Sequence, residues 1–308
     1  MLARLQQFTT LSLLALAAVW AAVFVQRSQL LLAAVGAVSI AFAYALVLAA
    51  EFILLRLVNA DDPAPVADAA TLARAWSAEV AGAARVFFWR QPFRSRAIPD
   101  RLSGARPASA GVVFVHGFLC NRGLWNPWLL RLHARGVCFV AVNLEPVFAG
   151  IDSYVATIEA AVRDIEAATG RTPIVVAHSM GGLAVRAWLA SRGAESRRTQ
   201  IITIGSPHHG TVLARLARTP NARQMQRDSG WLRELAQRES SGHFGSFTCY
   251  YSHCDNIVMP ASTATLPGAR NRHLPGVAHV RMATDERIFL DLIERISPGS
   301  PTDGVRPG

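Results

Sequence analysis

The apolar and polar positions of the chain fall into two regimes. From Leu11 to Val25, and again from Leu30 to Ala50, nearly every residue is apolar, and only the tetrapeptide QRSQ separates the runs. A membrane-spanning helix needs roughly 20 apolar residues, because lipid offers no partner to an unpaired backbone group. The second run meets that length; the first does so when Phe8, Thr9 and Thr10 join it. Three arrangements fit the pattern: a hairpin turning at Arg27-Ser28, a cleaved signal peptide followed by one anchor, and a single long bent insertion. No convincing A-x-A cleavage site follows the first run, which favours a transmembrane helical hairpin over residues 1–58. Two nearly uncharged runs in succession also argue against buried core helices.

Beyond Ser109 the rhythm changes. Short apolar runs at GVVFVHG, VCFVAVNL, TPIVVAHS, QIITIGS and GSFTCYYS read as strands, with a sixth near RNRHLPGVAHV. Between them LWNPWLLRLHARG, DSYVATIEAAVRDIEAATG and GGLAVRAWLASRG carry helical spacing, and DERIFLDLIERI closes the pattern. Asp152 or Ser153 is the expected N-cap of the second of these helices, and Gly170 its stop. Continuously apolar strands alternating with helices predict an α/β fold, doubly wound around a mostly parallel sheet over residues 110–297. Such sheets place their sites at the carboxyl ends of the strands. Residues 59–109 read as a juxtamembrane linker. Within it, ARVFFWRQPFRSR suggests an edge strand or a segment lying against lipid headgroups. Residues 211–245, with Met225, Trp231, Leu232 and Leu235 set among arginines, read as a small insertion, and 298–308 as a disordered tail.

Composition narrows the class. Hydrophobic residues make up 51% of the 308 positions, and the formal net charge is +10. All 31 basic residues are arginine. A basic chain can serve nucleic acid or an anionic membrane surface. No helix-turn-helix, zinc-finger or RNA-binding signature occurs, so nucleic acid is not an expected partner. Arginines beside apolar segments point instead to a bilayer. Arg4, Arg56 and Arg74 flank the hairpin while Arg27 alone sits in its turn, which favours a cytoplasmic placement of both ends and of the catalytic domain. The four cysteines, Cys120, Cys138, Cys249 and Cys254, form no C-x-x-C pair and read as free thiols. No carboxylate cluster suggests a metal, and no cofactor is expected.

The candidate chemistry sits at strand ends. In AHSMG, Ser179 occupies a small-x-Ser-x-Gly corner between a strand and a helix, which lifts a hydroxyl clear of the backbone. Ala177 stands in the first small position. The backbone N–H groups of Met180 and of Phe118, in VHGF, are the expected oxyanion donors. A serine hydroxyl needs a base, and Asp255 and His279 follow in the order Ser…Asp…His. His279 would accept the proton and Asp255 would hold its tautomer. His178 is expected to pack in the elbow, away from the chemistry. Leu119, Trp125, Trp128 and Val258 are candidates for an acyl wall or for ordinary core.

VHGF, AHSMGGL, GSPHHGT and DNIVMP…LPGVAHV together resemble the α/β-hydrolase superfamily, and within it bacterial triacylglycerol lipases and esterases. The resemblance spans about residues 110–297. It implies a serine hydrolase of carboxylic esters, acting on lipid or small acyl-ester substrates, with a lid near 211–245; the apolar hairpin, which the resemblance does not cover, would anchor it at a bacterial cell membrane. It also implies that GSPHHGT lines the floor of the cleft, which makes His208 a substrate-side residue. His208 and His209 precede the Asp and are weaker rivals for the base. An acyltransferase, a thioesterase, or a non-catalytic membrane scaffold would share most of these features.

Overall fold

The computed structural model describes residues 1–104, 109–192, 199–239 and 243–296. The tail expected at 298–308 and part of the insertion, 240–242, lie outside them. Two long helices come first, α1 (Leu2–Gln26) and α2 (Leu30–Val58), joined by a turn at Arg27 to Gln29. They pack on one another: Trp20 lies against Gly36, and its Nε1 donates to the Leu32 carbonyl at 3.0 Å. Both are long and apolar enough to cross a membrane. Leu11, Leu14, Val19, Val35, Phe42 and Leu46 are all exposed, so the two helices present apolar surface on many sides rather than one stripe.

Helix α3 (Ala69–Arg85) begins at Asp68, whose carboxylate accepts the Thr71 N–H at 2.6 Å. It runs on through a π-helical turn, Val86–Arg90, into the short helix α4 (Gln91–Arg94). The aromatic–arginine segment is therefore helical and not an edge strand. The helical period sends Val86 inward and leaves Trp89 and Phe93 exposed beside Arg85 and Arg94. The strand-like alternation in the sequence belongs to a helix with one wet face. A single antiparallel bridge, Arg101 with Phe139, is the only edge pairing described for residues 59–104.

The sheet comes next: β1 (Val112–Val115), α5 (Asn126–Ala134), β2 (Phe139–Ala141), α6 (Val155–Thr169), β3 (Ile174–His178) and α7 (Met180–Arg192). Then come β4 (Gln200–Ile204), α8 (Pro220–Gln224), α9 (Gly230–Arg238), β5 (Phe247–Tyr251), β6 (Arg270–His273), α10 (His279–Met282) and α11 (Glu286–Ile296). The six strands pair in the order β2-β1-β3-β4-β5-β6, every pair parallel. Strand period two explains the two-sided core. Val113, Val115, Val175 and Ala177 face α6 and α7 with Leu183 and Trp188, whereas Val112, Phe114, Ile174 and Val176 face Trp125, Trp128, Phe289 and Leu292. Burial on both faces is why these strands read as unbroken apolar runs. Trp125 and Trp128 thus belong to core. Helix α6 is entered through a 3-10 turn at Ile151–Tyr154, so neither Asp152 nor Ser153 caps it directly, whereas Gly170 closes it in the left-handed conformation. All four cysteines are buried and free.

A third, smaller core joins the hairpin to the sheet domain. Phe52 and Leu55 of α2 and Ala75 of α3 pack with Cys254, Met259 and Ala278, from loops near the strand ends. If this cluster couples the hairpin to the domain, Leu55→Ala lowers the stability of the full chain in detergent by about 2–5 kcal/mol. Leu57→Ala, at an exposed position on the same helix, changes it by less than about 0.5 kcal/mol. Equal effects in denaturant titrations would mean that the hairpin is merely tethered.

Candidate active site

Ser179 stands between the last residue of β3 and the first of α7, with φ +55°. That left-handed conformation is costly for a residue with a Cβ, and persists only where its surroundings enforce it. The surroundings are tight. A Cβ on Gly181 would lie 2.6 Å from the His116 carbonyl oxygen, and one on Gly117 would lie 2.6 Å from Ser179 Cβ. The loop after β1 therefore closes onto the serine, as the HG and S-x-G spacing requires.

His116 fixes that loop. Its buried Nε2 accepts the Leu144 N–H at 3.0 Å, which leaves the proton on Nδ1, 2.9 Å from the Gly117 carbonyl. Burial holds this imidazole neutral by lowering its pKa to about 4. With the Gly117 carbonyl turned to His116, planarity of the peptide directs the Phe118 N–H the opposite way.

His279 begins α10. Its Nδ1 lies 3.0 Å and 2.9 Å from the two carboxylate oxygens of Asp255. Asp255 Oδ1 also accepts the N–H groups of Ile257 and Val258, at 2.9 and 2.8 Å. Space for the pair comes from Gly205, φ +52°, where a Cβ would sit 2.8 Å from Asp255 Oδ2. Burial lowers the His279 pKa, but the Asp255 charge and hydrogen bond, with Glu79 behind them, outweigh it, and the net shift is upward.

Three further residues surround His279. His178 does not pack away from the chemistry. Its ring lies 4.5 Å from that of His279, and its Nε2 lies 3.1 Å from the His279 carbonyl oxygen. Burial pushes the His178 pKa well down, so it is neutral. Glu79 of α3 is fully buried and accepts the N–H groups of Val280 and Arg281 at 2.8 and 3.2 Å, completing the open end of α10. Asn256 accepts the His279 N–H at 3.3 Å and donates to Glu51 of α2 at 2.7 Å. A lone carboxylate in an apolar run flags Glu51 in principle. Nothing local in the sequence marks Glu79.

Ser179 and His279 border one cavity of about 510 Å³. Phe118, Leu119 and Val258 line it, and Met180 is buried directly behind the serine. His208 does not reach it: its Nε2 lies 3.0 Å from the Thr203 hydroxyl and 3.7 Å from Cys249 Sγ. The floor residues from this segment are Pro207 and Thr211 instead. The His208 ring is turned to Thr203 and Cys249, and the buried Arg186, which also donates to both Glu239 oxygens, holds its backbone by donating to the His208 carbonyl at 2.6 Å. From the insertion, Ala214, Ala222 and Met225 border the cavity. Leu232 and Leu235 instead pack inward, and Trp231 Nε1 donates to Asp152.

The fold and this corner define an α/β hydrolase. The model of the alpha/beta hydrolase family matches residues 112–295, and the chain belongs to that family. Among solved structures it is similar to the mature form of the Bacillus licheniformis lipase BlEst2, at 20% identity and a TM-score of 0.55 over 63% of this chain and 94% of that one. The propeptide form of the same lipase gives 20% and 0.55, over 67% and 54%. No curated protein sequence matches the chain.

Burial raises the Glu79 carboxyl from 4.5 to about 7, against the opposing pull of its two N–H donors and of His279. Between those values the folded protein holds a proton that the unfolded chain has lost, so stability falls as pH rises. His279, also shifted upward, adds the same sign. The melting temperature is thus expected to fall from pH 5 to pH 8, and Glu79→Gln to flatten the slope by up to about 1.4 kcal/mol per pH unit. A slope unchanged in the variant would show that Glu79 is ionised throughout.

Proposed function

We propose that the protein is a membrane-anchored serine hydrolase of carboxylic esters, with lipids or other acyl esters as substrates. The observation that carries this is the convergence of a strained, cavity-facing Ser179 and a His279 held by Asp255 on one predominantly apolar cavity. Ser179 Oγ attacks the ester carbonyl and passes its proton to His279 Nε2, the nitrogen that Asp255 leaves free. The N–H groups of Phe118 and Met180 hold the oxyanion. The tetrahedral intermediate collapses, and His279 returns the proton to the departing alcohol. A water molecule then gives a proton to His279 and attacks the acyl-enzyme, releasing the acid and regenerating the serine.

The hairpin supplies the anchor, and Ala214, Ala222 and Met225 of the insertion add an apolar patch to the cavity wall. Exposed Trp89 and Phe93 among arginines suit a headgroup layer, and the arginine distribution favours the cytoplasmic leaflet for the catalytic domain.

A fluorophosphonate probe should label Ser179 of the full chain, and Ser179→Ala should abolish labelling and lower kcat by about 10⁵–10⁶-fold. An unlabelled parent protein would sink the serine-hydrolase reading. Because His279 must be neutral to act, kcat/KM should fall on the acid side at a pH above the ordinary histidine value of 6.5. Glu79→Gln removes the negative charge that Glu79 gains toward and above about pH 7, and should move that limb to lower pH. An unmoved limb would assign the titration to another group.

A further inference from the structure

The cavity at Ser179 is not enclosed by the hydrolase domain alone. Leu2, Leu5, Gln6, Thr9 and Thr10 of α1 line it, at the i, i+3, i+4, i+7, i+8 spacing of one helix face. Thr9 and Thr10 turn their hydroxyls onto the Leu5 and Gln6 carbonyls of their own helix, at 3.0 and 2.7 Å. They therefore cost little polarity at the wall. Gln6 also donates to the Leu119 carbonyl at 3.2 Å, tying α1 to the loop that carries the expected oxyanion donor. From α2 come Leu48 and Glu51.

The cavity continues along α2. A second, smaller cavity of about 280 Å³ shares Leu48, Ala83, Phe87 and Phe88 with the first and adds Tyr44 and Val47. Glu51 to Tyr44 is two turns, about 10 Å of helix, and leads away from Ser179 toward the exposed apolar stretch of the hairpin. Ser179, His279, Asn256, Glu79 and Glu51 gather at the inner end, where Glu51, Asn256 and His279 are joined by hydrogen bonds. Gln6, Thr9, Thr10, His178 and Thr211 are the other polar residues of the lining. The outer end is lined by aliphatic and aromatic side chains, apart from Tyr44, whose hydroxyl is taken up by the Val80 carbonyl at 3.2 Å. A polar inner end and an apolar tail opening beside spanning helices match one molecular shape, an ester with a long hydrocarbon chain.

We infer that the hairpin is itself part of the substrate site. The acyl chain of a bilayer lipid passes directly from the hydrocarbon layer into the groove along α2, over Tyr44, Val47, Leu48 and Phe88, with its ester carbonyl at Ser179. The lipid never crosses water. This rests on the serine-hydrolase reading and adds the substrate class, a long-chain ester resident in the membrane, and its route.

The test uses the full chain in phosphatidylcholine vesicles. A fluorophosphonate carrying a sixteen-carbon tail with a terminal diazirine is added. Ser179 Oγ displaces fluoride at phosphorus, the hydroxyl proton passing to His279, and the tail is then photolysed. Cross-links are expected within residues 44–48 of α2 and 83–88 of the following helix. In parallel, kcat/KM is measured for a palmitoyl and a butyryl ester. Leu48→Trp, which fills the groove, should lower the palmitoyl-to-butyryl ratio at least tenfold. Leu46→Trp, on the exposed face two residues away, should leave it within twofold. Labelled Ser179 with cross-links confined to the 211–225 segment, or a ratio unmoved by Leu48→Trp, would overturn the route while sparing the hydrolase reading. No labelling of Ser179 in the parent would remove both.

Discussion

The site is governed by the cost of burying charge. Asp255 is almost wholly withdrawn from solvent, and an ionised carboxylate there is tolerable only with its oxygens fully engaged. Two backbone N–H groups of its own loop and the His279 imidazole do this. That one requirement shapes the loop after β5, places His279 at the start of α10, and demands a glycine at position 205 to make room. The same logic recruits Glu79 and Asn256, which complete the backbone N–H groups of the turn that carries the histidine.

The catalytic domain is consequently not self-sufficient. Glu79 and Glu51 both precede residue 112, where the family match begins, yet both border the cavity. The third core, around Phe52, Leu55, Cys254 and Met259, ties the same regions by packing. Residues ahead of the matched domain supply hydrogen bonds to the turn bearing His279, from Glu79 of α3, and a wall to the cavity, from α1 and α2. Removing the hairpin would strip the α1 and α2 wall and the Glu51–Asn256 hydrogen bond, so a truncated domain would carry a different cavity.

Much of this was legible from the chain. The strands could be read because burial on both faces forces unbroken apolar runs, and all six expected strands recur within their quoted stretches. That Ser179, Asp255 and His279 lie near one another could be anticipated, because a parallel sheet puts strand ends at one edge and leaves little freedom in where those residues go. Of the two readings of the segment at 86–94, the edge strand fails, because aromatics alternating with arginines over a few residues satisfy either period. His208 is misplaced by the resemblance because its ring turns to Thr203 and Cys249 beneath the cavity floor, partners that no local pattern marks.

The sequence by itself determined the periodic features: the hairpin's apolar length, the parallel sheet, the serine corner and the order of the candidate residues. Each is a local pattern, set by which faces of a strand or helix must leave water. Only the tertiary structure decided which distant groups meet: Glu79 and Val280, Glu51 and Asn256, Gln6 and Leu119, His178 and His279. These are single polar contacts between elements far apart in the chain. A lone Glu or Gln carries no period, so its partner exists only once the backbone has brought the two together.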